Sequence, residues 1–171
     1  RGTVLVSDRN LAKVRGRQVA LHRRQVGVVH QDHRLLLERS VFDNVALPLL
    51  IAGMPSHEIG KRVRSMLDKV GLAARERAKP SELSTGEQQR VGIARAMVGQ
   101  PLILLADEPT GNLDPTLAAE IMQLFDALQA QGTAVLIASH DLGLVKRLRK
   151  RVLVLDHGKL MDDISPEDLA A

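Results

Sequence analysis

The 171 residues contain no cysteine, no tryptophan and no tyrosine, and Phe42 and Phe125 are the whole aromatic complement. Without cysteine, disulfides and thiolate metal sites are excluded, which suits a reducing compartment. Sites that grip single-stranded nucleic acid stack bases on aromatic rings, so this composition argues against that class of partner. Long apolar runs are also missing. The longest, "VALPLLIAG" at residues 45–53, is too short to cross a bilayer and carries Pro48. No leader-like segment opens the chain. It begins on Arg1 and enters a strand pattern, "GTVLV", at once, and so reads as part of a longer protein.

What the chain does have is aliphatic. Apolar residues make up 44% and charged residues 26%, an ordinary balance for a globular chain long enough to bury a real core. The net charge is +4, and part of it lies in "KRLRKR" (146–151), which reads first as a solvated helix end.

Short β-branched runs at Thr3–Val6 and Val26–Val29 predict strands, with a basic helix at 16–24 between them. Residues 40–50 read as a helix capped by Ser40 and disturbed at Pro48, and 56–72 as an amphipathic helix stopped by Gly71. Another helix follows Gly86, so residues 41–99 are expected to be mostly helical. "LILLA" (102–106) is continuously apolar, the pattern of a parallel strand buried on both faces. A helix at 114–132 is signalled by Asp114, Pro115 and Gly132. Then come a strand at 133–139, a basic helix, a strand at 151–156, a turn at His157–Gly158, a short return strand "KLM", and a last helix from Ser165. Alternating strands and helices imply an α/β fold with a mostly parallel sheet.

Two stretches carry chemistry. In "LSTGEQQRVGIARA" (83–96), Ser84 and Thr85 can cap a helix while Gly86 admits close approach, so unpaired N–H groups face outward as an anion site. In "LILLADEPTGNLD" (102–114), an apolar strand ends on Asp107 and Glu108, placed where α/β sheets bind ligands. Adjacent carboxylates diverge, so Asp107 could hold Mg²⁺ and Glu108 could polarise water. Taken alone, such a pair is more often a turn former. Gln31 after the second strand and His140 in "IASHD" mean little singly.

Their order changes that. Gln31, Ser84-Thr85-Gly86-Glu87-Gln88, Asp107-Glu108, Asp114 and His140 together resemble the Q-loop, signature, Walker B, D-loop and H-loop of an ATP-binding-cassette (ABC) ATPase domain. The resemblance runs from Gly2 to about Leu160. It implies a P-loop NTPase-type core at 1–40 and 100–171, cut at its N-terminal side, and an α-helical signature subdomain at 41–99. It implies ATP and Mg²⁺ as cofactors, with Asp107 and Gln31 toward the metal. Glu108, His140 and Gln31 would be catalytic, and Ser84, Thr85, Gly86, Glu87, Gln88 and Asp114 would face nucleotide across a homodimer. Residues 31–53 look most like the cell-division branch, whose ATPases act with an FtsX-like integral membrane protein on the inner face of the plasma membrane. The lipoprotein-release and macrolide-export branches are the alternatives, and a non-catalytic interaction module is a third. DNA-repair and chromosome ATPases carry long insertions ahead of the signature, and the Gln31–Ser84 interval leaves no room for one. The surface around 32–52 is expected to dock the membrane partner.

Two departures stand out. Such signatures usually read LSGGE or LSGGQ, and Thr85 replaces the first glycine, which predicts weaker signature function. No G-x-x-x-x-G-K-[ST] occurs either, since Gly60-Lys61 and Gly158-Lys159 are followed by Arg62 and Leu160. That loop cradles the phosphates. The polypeptide as it stands is therefore expected to lack appreciable ATPase activity and to expose apolar sheet edges.

Overall fold

A computed structural model describes residues 2–6 and 9–168, which divide into two compact units, Arg1–Ile137 and Ala138–Ala171. The first is organised on a three-stranded sheet in the order β3-β4-β5, with β3 at Val26–Val29, β4 at Ile103–Asp107 and β5 at Ala134–Ala138. β3 and β4 run parallel, pairing Val26 with Ile103 and Val29 with Ala106. Parallel neighbours need a crossover. The intervening residues fold as three helices: α2 (Val41–Ala52), α3 (Ser56–Lys69) and α4 (Thr85–Met97).

α4 lies directly on the sheet. Gly27, Val29, Leu104 and Ala106 are buried, and a Cβ at Gly27 would stand 2.4 Å from the Ala96 carbonyl oxygen. The opposite face stays open. Val28, Leu105 and Leu136 alternate outward and remain 37%, 37% and 59% exposed. Residues 102–106 are thus covered on one face only, not on both as their apolar run predicts. A period of two sends alternate side chains to opposite faces, and α4 packs on one of them.

The helices follow local rules. Ser40 caps α2 by accepting the Asp43 N–H at 3.1 Å. The expected disturbance at Pro48 does not end the helix, which continues to Ala52 and stops at Gly53 with φ 79°. Val45 and Leu49, fully buried on either side of the proline, hold the helix to α3 and α4 despite the missing donor. In α3, Ile59, Val63 and Leu67 repeat every four residues and face inward. Gly71, at φ 66°, follows its end. α5 (Pro115–Ala130) is capped by Asp114, whose carboxylate accepts the Thr116 and Leu117 N–H groups at 3.1 Å each, and buries Ile121, Phe125 and Leu128.

Before the sheet, the predicted strand at 3–6 is reduced to β1 (Leu5–Val6), which pairs antiparallel with β2 (Arg9–Asn10). Two pairs are too few to hold the flanking Thr3 and Val4 in register. The basic helix is α1 (Arg17–Arg23).

The second unit holds α6 (Leu142–Leu148) and an antiparallel pair, β6 (Val152–Asp156) and β7 (Lys159–Ile164). His157 and Gly158 turn between them with φ 45° and 76°, the positive values a tight hairpin needs. β7 is longer than the predicted "KLM". Arg151 grips Asp163 by two hydrogen bonds of 2.7 and 2.6 Å, extending the pairing to Ile164. At 165–168 the chain makes a turn, with the Asp168 N–H donating to Ser165 Oγ; the remainder of the predicted last helix, 169–171, lies outside the described residues.

Candidate functional site

The start of α4 is built by a reciprocal cap. Ser84 Oγ accepts the Glu87 N–H at 3.2 Å, and the Glu87 carboxylate accepts the Ser84 N–H at 2.8 Å. Both ends of Ser84 are therefore engaged in shaping the turn. The N–H groups of Thr85 and Gly86, in the first helical turn, have no acceptor among the described residues and sit at the positive end of the helix dipole. Thr85 occupies the first helical position and stands exposed, so its side chain is accommodated there.

Gly86 is a contact point. A Cβ on it would meet the Asn112 carbonyl oxygen at 3.1 Å, so the chain leading into α5 packs against the helix start. The result is one open hollow of about 450 Å³, lined by Ser84, Thr85, Gly86, Glu87, Asn112 and Asp114 among others. Signature and D-loop candidates, 28 positions apart as Gly86 and Asp114, thus share a surface. Gln88 does not: its amide turns back to the Pro80 and Leu83 carbonyls at 3.0 and 3.2 Å.

Glu87 is held below the usual carboxylate range, chiefly by the Ser84 N–H, then by the Ser84 hydroxyl and Arg75, against the opposing effect of burial. A depressed carboxyl pKa stabilises the folded state above the unfolded value near 4.5, and that contribution disappears as pH falls through the folded value. Acidification should therefore loosen the first turn of α4. Amide hydrogen exchange at residues 85–88 is expected to rise at acid pH in the native chain, while Glu87→Gln should show no such pH step.

Asp107 is the exposed last residue of β4. Glu108 follows with φ 46°, a left-handed conformation that turns the chain sharply off the sheet and costs about 1–3 kcal/mol in a non-glycine residue. The Gly111 N–H donates to the Glu108 carbonyl at 3.3 Å and closes that turn. The β3–β4 register ends at Val29 opposite Ala106, so the next residues outward are His30-Gln31 on one strand and Asp107-Glu108 on the other. Gln31 and the two carboxylates consequently leave the sheet at the same carboxyl edge. His140 is exposed in the second unit, between β5 and α6, beside Asp141, which caps α6 through the Leu144 N–H at 3.0 Å.

Two residues absent from the sequence reading tie these parts together. Gln89, 1% exposed, donates from its amide to the Pro109 carbonyl at 3.0 Å, bracing the segment just after Glu108 against α4. Its position gave a signal: it falls on the stripe of Ile93 and Met97, where a polar side chain must find a buried partner. Arg95 extends both terminal guanidinium nitrogens to backbone, at 2.6 Å from the His33 oxygen and 2.8 Å from that of Arg34. Burial lowers its pKa from the usual arginine value. His33 and Arg34 have φ of 56° and 45°, which directs their carbonyls to it.

Asn44, fully buried, completes the bracing. Its amide accepts the Leu36 N–H at 2.8 Å and donates to the carbonyls of Leu36, Arg39 and Ser40. Beyond it lies a second hollow of about 350 Å³ lined by Ser40, Phe42, Arg64, Glu76 and Arg77. There the Arg64 guanidinium sits 5.6 Å from the Phe42 ring centre and 3.0 Å from Glu76.

Comparison with known proteins agrees with this geometry. Residues 1–111 match the ABC transporter family. The chain is 47% identical over 166 residues to the cell division ATP-binding protein FtsE of Escherichia coli K12, covering 97% of this chain and 75% of that protein. It is 48% identical to FtsE of Mycobacterium tuberculosis, covering 95% and 70%. The fold superimposes with a TM-score of 0.89 on the dimeric ATP-binding cassette MJ0796 bound to ADP and Pi, at 30% identity over 97% of this chain and 74% of that one. By sequence, by fold and by the order of its motifs, the chain belongs to the ABC transporter family of ATPases.

Proposed function

We propose that the chain forms part of the ATP-hydrolysing subunit of a cell-division complex and acts with an FtsX-like integral membrane protein. One observation carries this reading: the Thr85 and Gly86 N–H groups, with no acceptor among the described residues, lie beside the D-loop in a hollow that opens outward. An outward-facing anion site suits nucleotide held by a second subunit, so the signature caps the γ-phosphate of a neighbour's ATP in a homodimer. Residues 41–99 then act as the signature subdomain, with 1–40 and 100–171 as part of the ATPase core.

Within the complete site, Glu108 takes a proton from the attacking water, and its left-handed turn fixes the backbone that carries the carboxylate. His140 contacts the γ-phosphate, and Asp114 links the two sites across the dimer. Asp107 and the Gln31 amide oxygen would hold Mg²⁺. They are hard oxygen donors at one open sheet edge, the small ligand set of an ion that keeps its waters and its bonds to phosphate. When bound, Mg²⁺ neutralises charge developing on the transferred phosphoryl group.

The surface around residues 32–52, which contributes Ser40 and Phe42 to the hollow shared with Arg77, is the dock for the membrane partner on the inner face of the plasma membrane. Detergent-solubilised FtsX-like protein should retain the chain, and Phe42→Ala with Arg77→Glu should weaken retention about tenfold or more. Preferential retention by the membrane subunit of a lipoprotein-release system would move the assignment to that branch.

A further inference from the structure

The charge of the chain is unevenly placed. Residues 9–24 hold Arg9, Lys13, Arg15, Arg17, Arg23 and Arg24 and no acidic residue, so these six cations exceed the net charge of the whole chain, +4. All six are exposed, and none takes part in a described ion pair. In α1 the half-buried Val19 and His22 mark the inward side. Arg17, Leu21 and Arg24, spaced i, i+4 and i+7, form the opposite stripe. Leu21 is 46% exposed there.

We infer that the outward stripe of α1 binds the anionic headgroups of a lipid bilayer. Cations alone would suit any polyanion. Leu21 standing between Arg17 and Arg24 favours the bilayer, since it can enter the headgroup boundary while the guanidinium groups stay with phosphates. Nucleic acid fits less well, because the chain has no tyrosine or tryptophan to stack on bases and Phe125 is buried. The inference goes beyond the proposed function: lipid contact of this kind needs neither nucleotide nor a protein partner.

The test is co-sedimentation of the 171-residue chain with vesicles, without nucleotide or membrane protein. Vesicles containing phosphatidylglycerol should retain it, pure phosphatidylcholine vesicles should not, and raising salt from 50 to 500 mM should release it. Arg17→Glu with Arg24→Glu should lower partitioning by about tenfold or more, and Leu21→Ser should weaken it at constant charge. Lys146→Glu with Arg147→Glu, which removes the same charge from the second unit, should leave it within about twofold of the native chain. Equal retention by neutral vesicles would overturn the proposal. So would indifference to salt, equal loss in both charge-reversal variants, or tight binding to duplex DNA without binding to anionic vesicles. The salt series on the native chain decides the matter even where a variant fails to fold.

Discussion

Glu108→Gln should remove nearly all ATP turnover once the chain is joined to the N-terminal segment of its E. coli relative. Glutamine keeps the shape of the side chain and the turn at φ 46°, but it cannot accept a proton from the attacking water. General-base catalysis contributes about 10²–10⁴-fold, so kcat should fall by that factor while KM changes little. The measurement is steady-state phosphate release from Mg-ATP by the chimera and its variant. The 171-residue polypeptide alone, having no G-x-x-x-x-G-K-[ST] loop, should show no turnover above its own Glu108→Gln variant. Phosphoryl transfer relies on positioning and charge stabilisation, and no carboxylate substitutes for the missing cradle. An active Glu108→Gln chimera would show that another residue activates the water, and turnover by the polypeptide alone would show that the reaction does not need the missing loop.

Gly27→Ala should be the most damaging small change in the fold. The new methyl would stand 2.4 Å from the Ala96 carbonyl oxygen, which belongs to helix backbone and cannot swing aside. β3 and α4 would have to separate, and with them the register that brings Gln31 and Asp107 to one edge. Overpacking of this kind costs about 2–3 kcal/mol, which for a chain of this size lowers Tm by roughly 5–10 °C. Gly99→Ala is the control. Nothing lies within 4 Å of a Cβ there, and its Tm should stay within about 2 °C of the native chain. Thermal unfolding followed by circular dichroism distinguishes the two.

Local rules made much of the molecule legible from its residues. Ser40, Ser84 and Asp114 each cap the helix their position predicts, because a cap bonds only two or three residues ahead. Parallel strands flanking a helical insertion also follow from pattern, as does the placement of Asp107 and Glu108 at a strand end. Partners distant in sequence were not legible. Gln89 reaches across 20 positions to Pro109 and Arg95 across 61 and 62 to Arg34 and His33, distances over which no periodicity operates. The open sheet face was hidden for a related reason. An apolar run records that side chains avoid water, but it does not say which of them a given stretch of chain will cover, and Leu136 stays 59% exposed.

The double grip of Arg95 makes the Gln31 loop and the signature helix a single mechanical part. Any displacement of residues 33–34 pulls on a guanidinium rooted in α4, and α4 through Gln89 holds the backbone next to Glu108. Force entering at the loop arrives, through α4, both at the Thr85 and Gly86 amides and at the backbone beside Glu108. Neither can shift while the other stays still.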